Sequence, residues 1–220
     1  MEYKRLTLVC GHYGSGKTNV AVNFAFDLKK QYSNTAIADL DIVNPYFRTK
    51  DSREELAKAG IELICSEYAG TNIDIPAMPQ QMYSITDDRT KRVIIDVGGD
   101  DRGALALGRL APAITAENDY EMLLVINCYR PLTRDAAATV EVMREIEYAG
   151  GIPFTAIVNN SNLGEETTRE DILASFEYAG EVSRLSSLPI KCTTVHDTVF
   201  GSVAGEINNL FPLKLQPKID

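Results

Sequence analysis

Cysteine is scarce in this sequence and is nowhere paired. Four residues, Cys10, Cys65, Cys128 and Cys192, are far apart along the chain, and no C-x-x-C pattern occurs. Three of them end apolar runs, where a small thiol is most often simply buried. Scattered cysteines are typical of proteins kept in a reducing compartment, so we expect a cytoplasmic protein.

Long apolar runs and excess positive charge are also missing. No stretch approaches the roughly 18 apolar residues of a membrane-spanning helix, and Met1–Arg5 lead directly into an apolar run without a signal-peptide pattern. Asp and Glu number 31 against 22 Lys and Arg, for a net charge of −9. General nucleic-acid and anionic-membrane binders need a basic face. We therefore expect neither nucleic acid nor membrane as a partner.

The remaining composition is that of an ordinary globular protein. The 220 residues are 45% hydrophobic and 24% charged, which is sufficient for a sizeable core. No linker or low-complexity segment interrupts the chain. We therefore expect a single domain over residues 1–220.

The strongest motif lies near the N-terminus. Residues 11–18 are Gly-His-Tyr-Gly-Ser-Gly-Lys-Thr and match G-x-x-x-x-G-K-[ST]. The apolar, partly β-branched residues 6–10 precede the motif and predict a buried strand, and apolar residues at helical spacing follow it from Asn19 to Lys30. A glycine-rich turn that matches by chance is the alternative, but this strand–loop–helix context favours a phosphate-binding loop.

Each residue type in the motif has a physical role. Its three glycines admit backbone turns that are closed to residues with a Cβ, so successive N–H groups point at phosphate oxygens. The helix N-terminus adds partial positive charge. The lysine reaches the β- and γ-phosphates, and the threonine hydroxyl is a ligand for Mg²⁺. The predicted nucleotide-binding residues here are Gly11, Gly14, Ser15, Gly16, Lys17, Thr18 and Asn19.

Short apolar runs alternate with helical patterns along the rest of the chain. Further strands are predicted at 35–39, 61–65, 93–96, 122–127, 154–158 and 188–193. A capping box at 52–55 predicts the start of one helix, and a second helix is predicted over 104–110, where Pro112 limits it. Thr133 and Thr168 are predicted to cap two further helices. A short helix is predicted in the tail from Ser202 up to Pro212. Strands and helices in this alternation predict an α/β fold, a mostly parallel sheet covered on both faces.

Acidic residues follow two of the predicted strands. Asp39 and Asp41 lie at the end of strand 35–39, and Asp96 ends strand 93–96. Ligands of doubly wound sheets lie at the carboxyl ends of strands, and a Mg-nucleotide needs carboxylates there to hold the metal and orient water. An Asp after a strand is also a common turn residue, which is the alternative for all three. For Asp96, behind Val-Ile-Ile, a Walker B role is favoured.

These segments resemble the MinD/ParA/CobQ/CobB group of P-loop proteins, in the SIMIBI class. The resemblance rests on the loop at 11–18, on Asp-Leu-Asp-Ile-Val-Asn-Pro at 39–45, on Ile-Ile-Asp-Val-Gly-Gly at 94–99, and on Val158-Asn159. It covers most of the chain and is strongest to small bacterial ATP-binding proteins. It implies a three-layer α/β/α sandwich with a largely parallel sheet of seven or eight strands, and MgATP as the ligand.

The resemblance also implies roles for individual residues. Lys17 and Asp41 are the implied catalytic residues, the second because it positions the hydrolytic water. Asn159, at the end of a late strand, is the implied contact to adenine. The implied metal ligands are Thr18, Asp39 and Asp96.

The sequence departs from this group at one informative position. MinD- and ParA-like members carry a second lysine just after the first glycine, which reaches the partner's nucleotide in an ATP-sandwiched dimer. His12 and Tyr13 stand there instead, so we do not expect that mode of dimerisation, and a homodimer through another surface stays open. The guanine-selecting Asn-Lys-x-Asp is also absent, since Asn160 replaces the lysine, which favours ATP over GTP.

Three functions are consistent with this sequence. The first is a slow ATPase that acts as a switch read by a protein partner. The second is an ATP-dependent small-molecule enzyme of the dethiobiotin-synthetase or CobB kind, with the segment from Glu67 to Thr86 forming its substrate pocket. The third is a nucleotide-binding module without turnover. Four arginines are candidates for an acidic substrate or a charge clamp, although solvated surface is the simpler interpretation of each: Arg48, Arg102, Arg130 and Arg134.

Overall fold

The computed structural model describes residues 1–40, 52–65, 80–98 and 101–215. Eight strands within these ranges form one sheet. They are β1 Leu6–Cys10, β2 Thr35–Asp39, β3 Glu62–Ile64, β4 Arg92–Asp96, β5 Tyr120–Ile126, β6 Ala156–Asn159, β7 Ile190–His196 and β8 Leu210–Leu213.

Seven α-helices lie within the same ranges. They are α1 Lys17–Lys29, α2 Arg53–Lys58, α3 Gln80–Asp87, α4 Asp101–Glu117, α5 Ala136–Gly150, α6 Arg169–Ser186 and α7 Asp197–Val203. Single 3-10 turns at Pro131–Thr133 and Gly164–Glu166 precede α5 and α6.

The sheet is parallel throughout its described pairs, in the order β3-β2-β4-β1-β5-β6-β7-β8. The strand before the glycine-rich loop therefore lies in the middle, between β4 and β5. Its five residues are all buried, as expected of a strand that is covered on both faces. The predicted fold class, a mostly parallel α/β sheet of seven or eight strands, is confirmed.

Helices cover both faces of the sheet, and each face buries a large hydrophobic core. A smaller third cluster is formed by Ile172, Val195 and Val203. On one face, Val20 and Phe24 of α1 pack with Ile37 and Ile94. On the other face, residues of α4, α5 and α6 pack against the strand residues that point the opposite way, such as Ile95. Because side chains alternate between faces along a strand, this division shows on which side each strand residue lies.

The helix predicted over 104–110 is longer than expected. Pro112 lies inside α4, which continues to Glu117, so the prediction that this proline limits the helix was wrong. Proline removes the N–H that would bond to the carbonyl of residue 108 and costs about 3 kcal/mol in a helix interior. Leu110 and Ile114 are almost fully buried on either side of it, and we infer that this packing offsets the cost.

Two predicted helix caps also differ from the structure. Ser52 directly precedes α2, but its side chain makes no capping hydrogen bond. Thr133 lies in the 3-10 turn, and Asp135 caps α5 instead by accepting a hydrogen bond from the Ala138 N–H at 2.9 Å. The cap predicted at Thr168 is present in α6, where Thr168 and Asp171 form a capping box.

The tail differs most from its prediction. The helix α7 ends at Val203, and the last described element is β8, which contains Pro212. A proline lacks the N–H of a strand residue, and the edge position of β8 leaves one side of the strand without a neighbour in the described sheet. Within the described residues, no helix is both long and apolar enough to cross a membrane.

Candidate nucleotide-binding site

The glycine-rich loop joins the carboxyl end of β1 to the N-terminus of α1. Gly14 and Gly16 have φ angles of 80° and 86°, values that side chains with a Cβ rarely adopt. The Ser15 N–H donates to the His12 oxygen at 3.0 Å, and α1 begins at Lys17. The predicted strand–loop–helix arrangement is therefore present.

The base of the loop is tightly packed against β5. A Cβ on Gly11 would lie 2.4 Å from the Val125 carbonyl oxygen and 3.0 Å from the Ser15 Oγ. That hydroxyl is itself buried and makes no hydrogen bond within the described residues. A buried polar group without a partner is costly, and an anion held by the loop would supply an acceptor.

The first turn of α1 carries the predicted phosphate and metal groups. Lys17 is 6% exposed, and Thr18 next to it is half-buried. Asn19 is also buried. The structure therefore places these three side chains at the carboxyl edge of β1, as the motif predicts.

Asp39 and Asp96 end neighbouring strands in register with each other. Both are two residues beyond side chains that pack against α1, namely Ile37 and Ile94, so both carboxylates lie on the face that α1 covers. Asp96 is 1% exposed, and its backbone oxygen accepts a hydrogen bond from the Leu40 N–H at 2.8 Å. The structure therefore brings the two predicted carboxylates together.

The charges of Lys17 and Asp96 both act on Cys10, the last residue of β1. Burial raises the pKa of the Cys10 thiol to about 12; Lys17 opposes this rise and Asp96 adds to it. The loop lysine and the strand-end carboxylate thus lie near the same buried sulfur, one strand apart. Because its pKa is raised, the thiol is protonated at neutral pH and is not a nucleophile.

This donor set fits magnesium bound together with a nucleotide. Magnesium is commonly held by one or two carboxylates and by substrate phosphates. Asp39, Asp96 and the Thr18 hydroxyl supply oxygen atoms at the same edge of the sheet. Among the described residues, no group of three or more His, Cys, Asp or Glu side chains could hold a metal.

Asn159 lies apart from these groups. It is fully buried at the end of β6; its Nδ2 donates to the Ser175 Oγ at 2.9 Å and its Oδ1 accepts from the Ser161 N–H at 3.2 Å. Ser175 belongs to α6 and Ile157, two residues before, packs in the core opposite α1. The structure does not place this side chain on the face of the phosphate loop, and a contact to adenine stays a prediction.

Asn160, the next residue, is the site residue that motif reasoning missed. Its Nδ2 donates to the Ser15 carbonyl oxygen at 2.6 Å, and its Oδ1 accepts from the Thr194 hydroxyl. A Cβ on Gly16 would lie only 2.4 Å from the same Nδ2. The sequence showed only that Asn160 stands where the guanine-selecting motif has a lysine. The missing lysine was the one signal that could have drawn attention to Asn160.

The remaining predicted positions are distributed as follows. His12 is half-buried, with its Nδ1 2.9 Å from the Tyr13 oxygen, and Tyr13 is 63% exposed. Arg130 and Arg134 are exposed. Asp41, Arg48, most of the segment from Glu67 to Thr86, and the side chain of Arg102 are outside the part of the chain that the structure describes.

Comparison with known proteins identifies the fold. No protein-family model matches the sequence, and no curated protein matches it. Solved structures with a similar fold include the signal recognition particle receptor FtsY from Elizabethkingia anophelis in complex with GDP, which has a TM-score of 0.56 and 16% identity over 89% of this chain. Chloroplast FtsY from Physcomitrella patens also has a TM-score of 0.56, with 16% identity over 88% of this chain, and FtsY from Thermotoga maritima has the same score, with 17% identity over 86%.

This chain spans between 58% and 61% of the length of those three FtsY structures. At such identities the likeness concerns the fold. It concerns no narrower family and no choice of nucleotide. The chain has the α/β fold of a P-loop NTPase.

Proposed function

We propose that this protein binds Mg-ATP, hydrolyses it slowly, and acts as a switch that a partner protein reads. The observation that carries the proposal is the loop itself: Gly11 is too tightly enclosed for any side chain, and the buried Ser15 hydroxyl has no described partner. Both features suit a backbone cradle that closes around phosphate. The in-register pair Asp39 and Asp96 supplies carboxylates at the adjoining strand ends.

Each group has a separate role in this proposal. Lys17 binds the β- and γ-phosphates, while the Thr18 hydroxyl, Asp96 and Asp39 hold the metal or its water ligands. Asp41 orients the attacking water. Magnesium bound with the nucleotide neutralises charge that develops on the phosphate oxygens.

The proposed preference for ATP rests on the loop after β6. FtsY from E. anophelis was solved with GDP, so the fold alone does not favour adenine. Guanine presents two adjacent N–H donors, which a carboxylate accepts well. Asn162 stands where the guanine motif has its Asp, and its amide already donates to the Asn160 oxygen at 2.8 Å and accepts from the Gly164 N–H at 3.1 Å. We therefore favour ATP over GTP.

The first test is nucleotide affinity by titration calorimetry in the presence of Mg²⁺. Lys17→Ala removes the charge at the phosphates and should weaken MgATP binding at least tenfold, about 1.4 kcal/mol. Lys30→Ala is the matched control, because Lys30 is an exposed lysine just beyond the other end of α1. The control should bind ATP like the wild type, and wild-type protein should bind GTP more weakly than ATP.

Unchanged affinity in Lys17→Ala would exclude the phosphate-loop assignment, and tighter binding of GTP would exclude the preference for ATP. Turnover of ATP by the purified protein, alone and with pooled metabolites, separates the remaining functions. Stimulation by a metabolite would favour the synthetase or kinase alternative. Tight binding without any turnover would favour a nucleotide-binding module.

A further inference from the structure

Arg130 extends from the loop after β5 onto the glycine-rich loop. A Cβ on Gly14 would lie 3.7 Å from the Arg130 Cδ and 3.9 Å from its Nε. The side chain thus lies against the middle of the glycine-rich loop, and the segment that carries it follows β5, the strand next to β1. The backbone N–H groups of such a loop surround the phosphates, so a guanidinium here is within reach of them.

The backbone at Arg130 is held by a buried asparagine. The Asn127 Oδ1 accepts a hydrogen bond from the Tyr129 N–H at 3.0 Å, and its backbone oxygen accepts from the Arg130 N–H at 3.2 Å. The Thr133 hydroxyl donates to that same oxygen at 3.0 Å. Asn127 is 1% exposed. The turn that presents Arg130 is therefore well supported, although the side chain itself is exposed.

No acidic side chain among the described residues neutralises the Arg130 guanidinium. Within the described residues, the Arg130 side chain makes no hydrogen bond and no ion pair, although acidic residues outnumber basic ones in the chain. By contrast, the arginines Arg5, Arg169 and Arg184 are each paired with a glutamate. An uncompensated arginine beside a phosphate loop is well suited to bind the anion that the loop accepts.

We propose that Arg130 supplies, from the same chain, a second cation to the β- and γ-phosphates. This inference rests on the proposed function and extends it. In hydrolysis, water attacks the γ-phosphorus and the bond to the bridging oxygen breaks; ADP retains the electron pair, and phosphate and a proton leave. The guanidinium offsets the negative charge that moves onto the bridging and γ-oxygens. His12 and Tyr13 supply no such charge from the loop.

The test compares Arg130→Ala, Arg130→Lys and Arg134→Ala with the wild type. Arg134 is an exposed arginine four residues further along, which makes it a matched control for net charge. Two quantities are measured: single-turnover hydrolysis of MgATP, and calorimetric affinity for a non-hydrolysable ATP analogue. Arg130→Ala should slow hydrolysis at least tenfold and up to about 10³-fold. It should also lower the affinity for the ATP analogue. Arg130→Lys should retain part of the rate and part of the affinity that Arg130→Ala loses. Arg134→Ala should show neither loss.

Wild-type values in Arg130→Ala would overturn the inference, and so would equal losses in Arg130→Ala and Arg134→Ala, because these would indicate a general effect of surface charge. Thermal unfolding should be unchanged in both variants, since neither side chain is buried. If the wild type binds ATP through Lys17 and is indifferent to Arg130, this inference alone fails. If the wild type binds no nucleotide, the proposed function fails with it.

Discussion

Asn160 joins two loops that are far apart in the sequence. Its side-chain amide donates a hydrogen bond to the Ser15 carbonyl oxygen across 2.6 Å, from a position 145 residues further along the chain. The loop after β6 thereby supports the phosphate loop from the side of β7, where Thr194 completes the contact. Changes at Asn160 should consequently affect both folding and ligand binding.

Asn160→Asp should destabilise the protein by about 1–3 kcal/mol, because it places a carboxylate oxygen against the Ser15 carbonyl where an N–H had donated. Nucleotide affinity should fall with it. Urea denaturation and calorimetry measure the two effects. Asn34→Asp is the control: Asn34 donates to the Thr90 hydroxyl in an exposed setting, and its loss should stay within about 0.5 kcal/mol. Equal losses of stability in Asn160→Asp and Asn34→Asp would show that the contact to the Ser15 carbonyl stabilises the protein no more than an exposed hydrogen bond does.

Gly11→Ala should disrupt the base of the phosphate loop. Its new methyl group would lie 2.4 Å from the Val125 carbonyl oxygen, so backbone must shift, at a cost on the order of 1–3 kcal/mol or more. Nucleotide binding should be lost or strongly weakened. In the matched variant Gly205→Ala, no atom lies within 4 Å of the new methyl group. Denaturation midpoints should separate the two variants, and the assignment of a tight cradle is wrong if they coincide.

The acidic residues should divide into two roles. Asp96→Asn removes a carboxylate from the metal's surroundings and should weaken Mg²⁺-dependent ATP binding. Asp41→Asn should leave binding intact and reduce turnover, because Asp41, which is outside the described residues, is the group proposed to orient water. Calorimetry with and without Mg²⁺ and a phosphate-release assay measure these effects, with the exposed Asp87 as the site of a control Asp→Asn change. Identical behaviour of the first two variants in both assays would contradict the division.

ATP should not drive this protein into a tight face-to-face dimer. By the sequence-based resemblance, His12 and Tyr13 stand where MinD- and ParA-like proteins carry the lysine that acts across the dimer. Tyr13 is 63% exposed. Turnover by the isolated protein should be about one per minute or less. Light scattering with and without ATP, on Asp41→Asn protein to prevent turnover, measures the mass. A doubling that depends on ATP would show that another residue replaces the lysine.

Local sequence signals were sufficient for the parts of the fold that local interactions determine. The apolar run at 6–10 and the glycine pattern after it predicted β1, the loop and the start of α1, because each element's own residues show its burial. The two prolines were misjudged for a different reason. Pro112 is tolerated inside α4 among buried neighbours, and Pro212 is tolerated in an edge strand. Neither environment can be seen without the packed structure.

The candidate site shows the same limit. The positions of Lys17, Thr18 and Asp96 at the edge of the sheet could be predicted because they follow from a short motif or from a strand end; their roles stay predictions. Asn160 and Arg130 lie against the loop from distant parts of the chain, and no spacing rule connects them to Ser15 or Gly14. Their contacts depend on which strands become neighbours, and the order of strands in the sheet was not predicted.

The central position of β1 also constrains the order in which the strands can pair during folding. Leu6 pairs with Val93 of β4 on one side and with Tyr120 of β5 on the other. A parallel sheet has no hairpins that could form early from adjacent residues, and distant pairings are slow to form. A nascent chain must therefore be made beyond β5 before the first strand has both of its neighbours. The glycine-rich loop is synthesised before β4 and β5 but cannot take its final shape until the chain has been made past β5.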